Sequence, residues 1–118
     1  MTTERYYFTF YGLDLEAYTI DKIEEIWREE ASKVYAHTGI YINTMFSIYK
    51  MICGYAVECA GWEYSVRFLV TRNPIIYEDP ILYQKVLLDV LENVKTGFNN
   101  PFSSLSKETV DFYYFNKI

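Results

Sequence analysis

One histidine, two cysteines and sixteen carboxylates are the residues of this chain that could do acid–base, metal or nucleophilic chemistry. Cys53 and Cys59 stand too far apart for a C-x-x-C redox pair, and with His37 alone elsewhere they make no zinc site. His37 falls at the end of a helical pattern, where an imidazole complements the helix dipole, and no serine or cysteine nucleophile pairs with it by spacing. An enzyme using His37 and a carboxylate would need those groups to converge in one cleft. The five glycines are dispersed, so no glycine-rich loop cradles a phosphate. The sequence therefore nominates no catalytic residue, no metal and no cofactor. The two cysteines are expected to be reduced, structural thiols of a cytoplasmic protein.

The carboxylates do carry a spatial pattern. Residues 14 to 30 hold seven acids against Lys22 and Arg28, a local balance of −5, and −5 is the net charge of the whole chain. Asp21, Glu25 and Glu29 recur every fourth residue, which stacks them on one ridge of a helix opposite Ile20, Ile23 and Trp27. Glu24 lies beside them. Glu24–Arg28 and Glu29–Lys33 have the spacing of helical ion pairs that partly offset the repulsion. Such a ridge suits a larger protein with a basic surface and repels nucleic acid and anionic membranes. The same face also serves simply to keep a protein in solution.

Aromatic residues are the compositional outlier, at 19% with thirteen tyrosines. Tyrosine tolerates half-burial and is enriched at interfaces. Tyr7 and Tyr11 alternate with Phe8 and Phe10, and Tyr113 and Phe115 alternate with Phe112 and Tyr114. If these segments share a sheet, its outward face carries a Tyr/Phe patch, open to a partner or to a second copy, unless the 98–108 segment covers it. Arg67 and Arg72, flanking the strongest strand pattern, read as salt-bridge partners for the acidic helix, with small-ligand or nucleotide binding beside a stacking tyrosine ring as the alternative.

These residues need elements to hold them. At 118 residues the chain has room for one domain, expected to span all of it. Arg5 to Tyr11 alternates as a strand. Thr19 offers an N-cap to a helix over about 19 to 37, closed by Gly39. Residues 40–52 read as a strand, with helix as the alternative; a turn at Cys53-Gly54, a short strand over 55–59 and a longer one over 62–71 follow. Asp79-Pro80 starts a second helix that Gly97 ends, residues 98–108 read as a loop, and the last strand begins near Val110. The order β-α-β-β-β-α-β predicts an α+β fold, a mostly antiparallel sheet of four to five strands with two helices on one face, a ferredoxin-like arrangement being one candidate.

Two functions from different classes fit. The first is a non-enzymatic protein-binding module using Asp21, Glu25, Glu29 and Glu24 with Tyr7, Tyr11 and Tyr113. In its sharpest form it is a viral or plasmid-encoded inhibitor that occludes a basic, nucleic-acid-binding surface of a host defence protein, a similarity of size and charge only. The second is a small-molecule or nucleotide-binding domain, oligomeric in one version, with a concave tyrosine-lined pocket. No apolar run approaches the ~18 residues that span a bilayer.

Overall fold

A computed structural model describes residues 1–54 and 63–115. Four strands and two helices follow in the order β1 (Thr2–Tyr11), α1 (Ile20–Thr38), β2 (Met45–Lys50), β3 (Tyr64–Thr71), α2 (Pro80–Gly97) and β4 (Ser103–Asp111). The sheet order is β2-β3-β1-β4, with every neighbouring pair antiparallel. Each helix carries the chain from one strand to another that is not its sheet neighbour, giving two split βαβ units and the ferredoxin-like α+β architecture. The short strand expected over 55–59 lies outside the described residues.

Period-two alternation decides which side of the sheet meets the helices. Tyr6, Phe8 and Phe10 on β1 and Val66, Phe68 and Val70 on β3 all face them and are buried. Against this layer α1 lays Ile23, Trp27, Ala31 and Val34, and α2 lays Tyr83, Val86, Leu87, Val90, Leu91 and Val94. Trp27 stacks on Phe68 with ring centroids 4.6 Å apart, and its indole N–H donates to the Ile42 carbonyl at 3.1 Å. The stack anchors α1, since burial of each such side chain is worth about 1.5–3 kcal/mol.

Caps set the helix ends. The Thr19 hydroxyl accepts from the Lys22 N–H, and Gly39 takes a left-handed φ of 73° while its N–H bonds the Tyr35 carbonyl. At α2 the Asp79 carboxylate accepts from Ile81 and Leu82 N–H ahead of the proline turn. Gly97 does not supply the left-handed terminator; Asn99 and Asn100 do, at φ 63° and 53°. Gly97 is small for a packing reason instead: a Cβ there would lie 2.8 Å from Ile26 Cγ2 on α1.

One segment corrects the sequence reading. Residues 98–108 are mostly strand, not loop: β4 starts at Ser103 and pairs with β1 from Phe10↔Ser103 to Thr2↔Asp111. Its sequence, SSLSKETVD, shows no apolar alternation because an edge strand leaves both of its faces largely wet. Long-range pairing to β1 makes it a strand where local propensity does not. Phe112 adds one further bond, to the Met1 carbonyl, and residues 113–115 run on beyond the sheet.

Candidate functional site

The helices cover one face of the sheet, and no element among the described residues covers the other. That open face is built from alternate residues: Arg5, Tyr7, Thr9 and Tyr11 on β1, Ser65 and Arg67 on β3, Tyr49 on β2, and Ser104, Ser106 and Glu108 on β4. They form a connected polar and aromatic row. The Tyr7 hydroxyl donates to Glu108 Oε1 at 2.7 Å, and Arg5 approaches the same oxygen at 3.8 Å. Arg67 donates from Nε to Thr9 Oγ1 at 3.1 Å. Its guanidinium lies between two rings, 5.4 Å from the Tyr7 centroid and 5.6 Å from that of Tyr49. Tyr11 and Ser104 share a hydroxyl–hydroxyl bond of 2.8 Å. Stacking a guanidinium on two rings fixes its plane, at about 0.5–1 kcal/mol per exposed ring contact.

Tyr11 joins this row to two concavities. One, of about 210 Å³, lies over the open face and is lined by Thr9, Tyr11, Tyr49, Lys50, Ser65 and Arg67. The other, of about 430 Å³, opens at the end of the sheet between the β1–α1 and α2–β4 connections, where Tyr11, Tyr18, Phe98 and Phe102 line it with Asp14 and the left-handed Asn99–Asn100 pair. The larger volume lies within the usual range for small-molecule sites. The arrangement can stack a flat ring, surround a cation with π-faces and present a carboxylate beside a phenol.

Of the residues nominated from sequence, the structure brings Tyr7 and Tyr11 into this row and leaves the others elsewhere. Asp21, Glu25 and Glu29 are exposed on the outer side of α1, with the helix layer and the sheet between them and the tyrosine face, while Glu24 is exposed on the flank of α1, lining a pocket of about 360 Å³ with Trp27, Arg28, Tyr41 and Phe46. Glu24 is paired with Arg28, and Lys33 bridges Glu29 and Glu30. Asp21 and Glu25 make no ion pair among the described residues. Ridge and tyrosines therefore present two separate surfaces. Tyr113, at 75% exposure, sits past the end of β4 rather than on the sheet face.

His37 does share a shallow groove with Asp89 and Glu92, of about 220 Å³ between the helices. No group of three metal-ligating side chains forms among the described residues. Cys53 is disulfide-bonded rather than the expected free thiol; Cys59 lies outside the described residues. No helix among the described residues is long and apolar enough to cross a membrane.

Glu108 is the functional candidate that the sequence hides, and Arg67 is one that it ranks too low. Glu108 falls in the segment that reads as a loop. Arg67 reads as a partner of the acidic helix, although its alternation with Val66 and Phe68 already puts it on the face away from the helices. Arg72 does form an ion pair, with Glu4 on β1 at 2.7 Å, and its side chain is buried. That guanidinium holds the Glu4 carboxyl below its ordinary range, and burial pushes the Tyr83 phenol well above its own.

The sequence matches the family described as SAM lyase over residues 1–116, and the chain belongs to that family. The family's description names an enzyme, at odds with the expectation of a non-enzymatic module. No curated protein matches the chain. Among solved structures, the de novo designed protein Foldit4 aligns with 96% of this chain and 100% of its own, at 10% identity and a TM-score of 0.51, a likeness of fold. A putative PII-like signaling protein from Thermus thermophilus aligns over 93% of this chain and 88% of its own, at 12% identity and a TM-score of 0.45. CPII, a nitrogen regulatory PII-like protein from Thiomonas intermedia bound to ADP, AMP and bicarbonate, aligns over 93% and 87%, at 8% identity and a TM-score of 0.38.

Proposed function

We propose that the chain binds S-adenosylmethionine along the tyrosine row and the adjoining end groove, and cleaves a carbon–sulfur bond of its sulfonium without water. The family description supplies the reaction class. The observation that carries the assignment to this site is the Glu108 carboxylate held at 2.7 Å by Tyr7 on the uncovered sheet face, in line with Tyr11 and the aromatic groove.

The ligand's parts match the surfaces in turn. An adenine ring stacks among Tyr11, Tyr18, Phe98 and Phe102, and the sulfonium meets tyrosine faces, which attract cations through the ring quadrupole. Cleavage sends the electron pair of the carbon–sulfur bond to sulfur, which leaves as a neutral thioether. In a lyase the vacated carbon is satisfied from within the substrate, by ring closure onto its own carboxylate or by loss of a neighbouring proton. Either route destroys charge, so aromatic walls that strip water from the sulfonium favour the step. Glu108, oriented by Tyr7, is the group placed to accept a proton.

The test is incubation of purified protein with S-adenosylmethionine and mass spectrometry of the products. The expected result is methylthioadenosine with a four-carbon fragment; lactone and alkene are isomers of equal mass, and proton NMR of the fragment tells them apart. Glu108→Gln should lower kcat about 100-fold, and Tyr11→Ala should raise KM about 10-fold through lost stacking. Absence of cleavage by the wild-type protein, or full activity in both variants, overturns the reading.

A further inference from the structure

We infer that the pocket holding Arg67 on the open sheet face is a carboxylate-binding subsite. Arg67 lines this cavity of about 210 Å³, and no acidic residue does. It makes no ion pair among the described residues, although the other three arginines, Arg5, Arg28 and Arg72, all do. In a chain with five more acids than bases, an arginine left without a carboxylate awaits one from outside.

The geometry prepares Arg67 for it. Arg67 spends its Nε–H on Thr9 and is clamped between the Tyr7 and Tyr49 rings, which fixes the plane of the fork while its terminal N–H groups remain for a ligand. Thr9 and Ser65 line the same pocket. A planar carboxylate fits a planar fork with two parallel hydrogen bonds. Phosphate fits less well: phosphate sites recruit free backbone N–H groups at a helix start or a glycine-rich loop, and here the surrounding backbone belongs to the sheet ladder.

The class of ligand is thus a small molecule ending in a carboxylate. Taken with the reading above, on which this part rests, it is the α-carboxylate of the methionine end of S-adenosylmethionine. The shared residue Tyr11 puts that end on the open face and the adenosine end in the aromatic groove.

The experiment has two arms. The first measures binding of S-adenosylmethionine and of its decarboxylated counterpart to wild type, Arg67→Gln and Arg67→Lys. Wild type should prefer the carboxylate by about 10- to 100-fold, the range for a lost charge-assisted bond pair. Arg67→Gln should bring the ratio near one while leaving the decarboxylated compound's affinity unchanged, and Arg67→Lys should restore part of the preference. An unchanged ratio in Arg67→Gln overturns the inference. The second arm titrates L-methionine, 3-(methylthio)propylamine and inorganic phosphate onto isotope-labelled protein and follows the Arg67 Nε–H resonance. A saturable shift with methionine alone supports the subsite even if neither sulfonium compound binds, in which case the lyase reading fails by itself. No shift with methionine, or an equal one with phosphate, overturns the carboxylate assignment.

Discussion

Replacing Glu4 by glutamine tests how the sheet is tied to the start of α2. The Arg72 guanidinium, with its side chain only 6% exposed, donates from Nε to Glu4 Oε2 at 2.7 Å and from Nη1 to the Tyr77 carbonyl at 2.7 Å. Thr3 Oγ1 in turn donates to the Arg72 carbonyl. Removing one partner of a fully buried pair costs about 3–5 kcal/mol, because the remaining charge stays desolvated. Glutamine keeps an acceptor oxygen at the same place, and the Glu4 side chain is 20% exposed, so water screens part of the loss. Those two corrections bring the expected cost of Glu4→Gln down to about 2 kcal/mol at pH 7, close to that of a charge-assisted hydrogen bond. The pH dependence has a definite sign. Arg72 lowers the Glu4 pKa below its unfolded value of 4.5. The pair's stability is therefore complete above that value and is lost as the pH falls through the depressed folded one. Urea unfolding at pH 7 and at successive steps below pH 4.5 should show the gap between wild type and Glu4→Gln narrowing toward acid. A gap that is absent at pH 7, or that stays constant into acid, refutes the reasoning.

Two further changes probe the packing that holds the layers together. Gly97→Ala should lose stability by about 1 kcal/mol in urea unfolding, because the added methyl meets Ile26 Cγ2 at 2.8 Å, a β-branched side chain that cannot swing aside, and overpacking outweighs the gain in helix propensity. In an Ile26→Ala background the same substitution should become neutral or stabilising, and equal losses in both backgrounds would remove steric conflict as the cause. At alkaline pH, burial keeps the Tyr83 phenol protonated past its ordinary value of 10.0, so stability is intact below pH 10 and declines as the pH rises beyond it. Tyr83→Phe should flatten that decline between pH 9 and 11, and an unchanged slope would assign the alkaline loss to other groups.

Where a periodic pattern coincides with a cap, the sequence tells the element almost to the residue. Thr19 and Gly39 bracket α1, and Asp79-Pro80 opens α2, because those side chains satisfy orphan backbone groups by local chemistry alone. The β1 and β3 alternation likewise chooses the buried face. β4 is illegible for the opposite reason. Nothing in Ser103 to Thr109 prefers a strand by itself; what makes it one is β1, nearly a hundred residues away in sequence. Gly97 shows the same limit in miniature. Its small size is explained by Ile26 on another helix, which no local rule reports.

The site is legible in half. Tyr7 and Tyr11 are visible because alternation with Phe8 and Phe10 turns them outward. Glu108 is lost with β4, and Arg67 is ranked too low because a charge sum along the chain ignores its layers. Outside residues 14 to 30 acids and bases cancel, which reads as electrically neutral. The fold undoes that cancellation. Glu4 is spent on Arg72 at the end of the sheet, and Asp21 and Glu25, in no ion pair among the described residues, lie on the far side of the helix layer. Arg67 keeps its charge on the open face. The molecule is therefore acidic on its helical side and locally cationic in one tyrosine-walled pocket on the other. Attraction between opposite charges falls off with distance and is screened within about 8 Å at physiological salt. An anionic ligand at the open face thus feels Arg67 far more than the acidic helix behind it, so the overall charge of −5 does not oppose its binding.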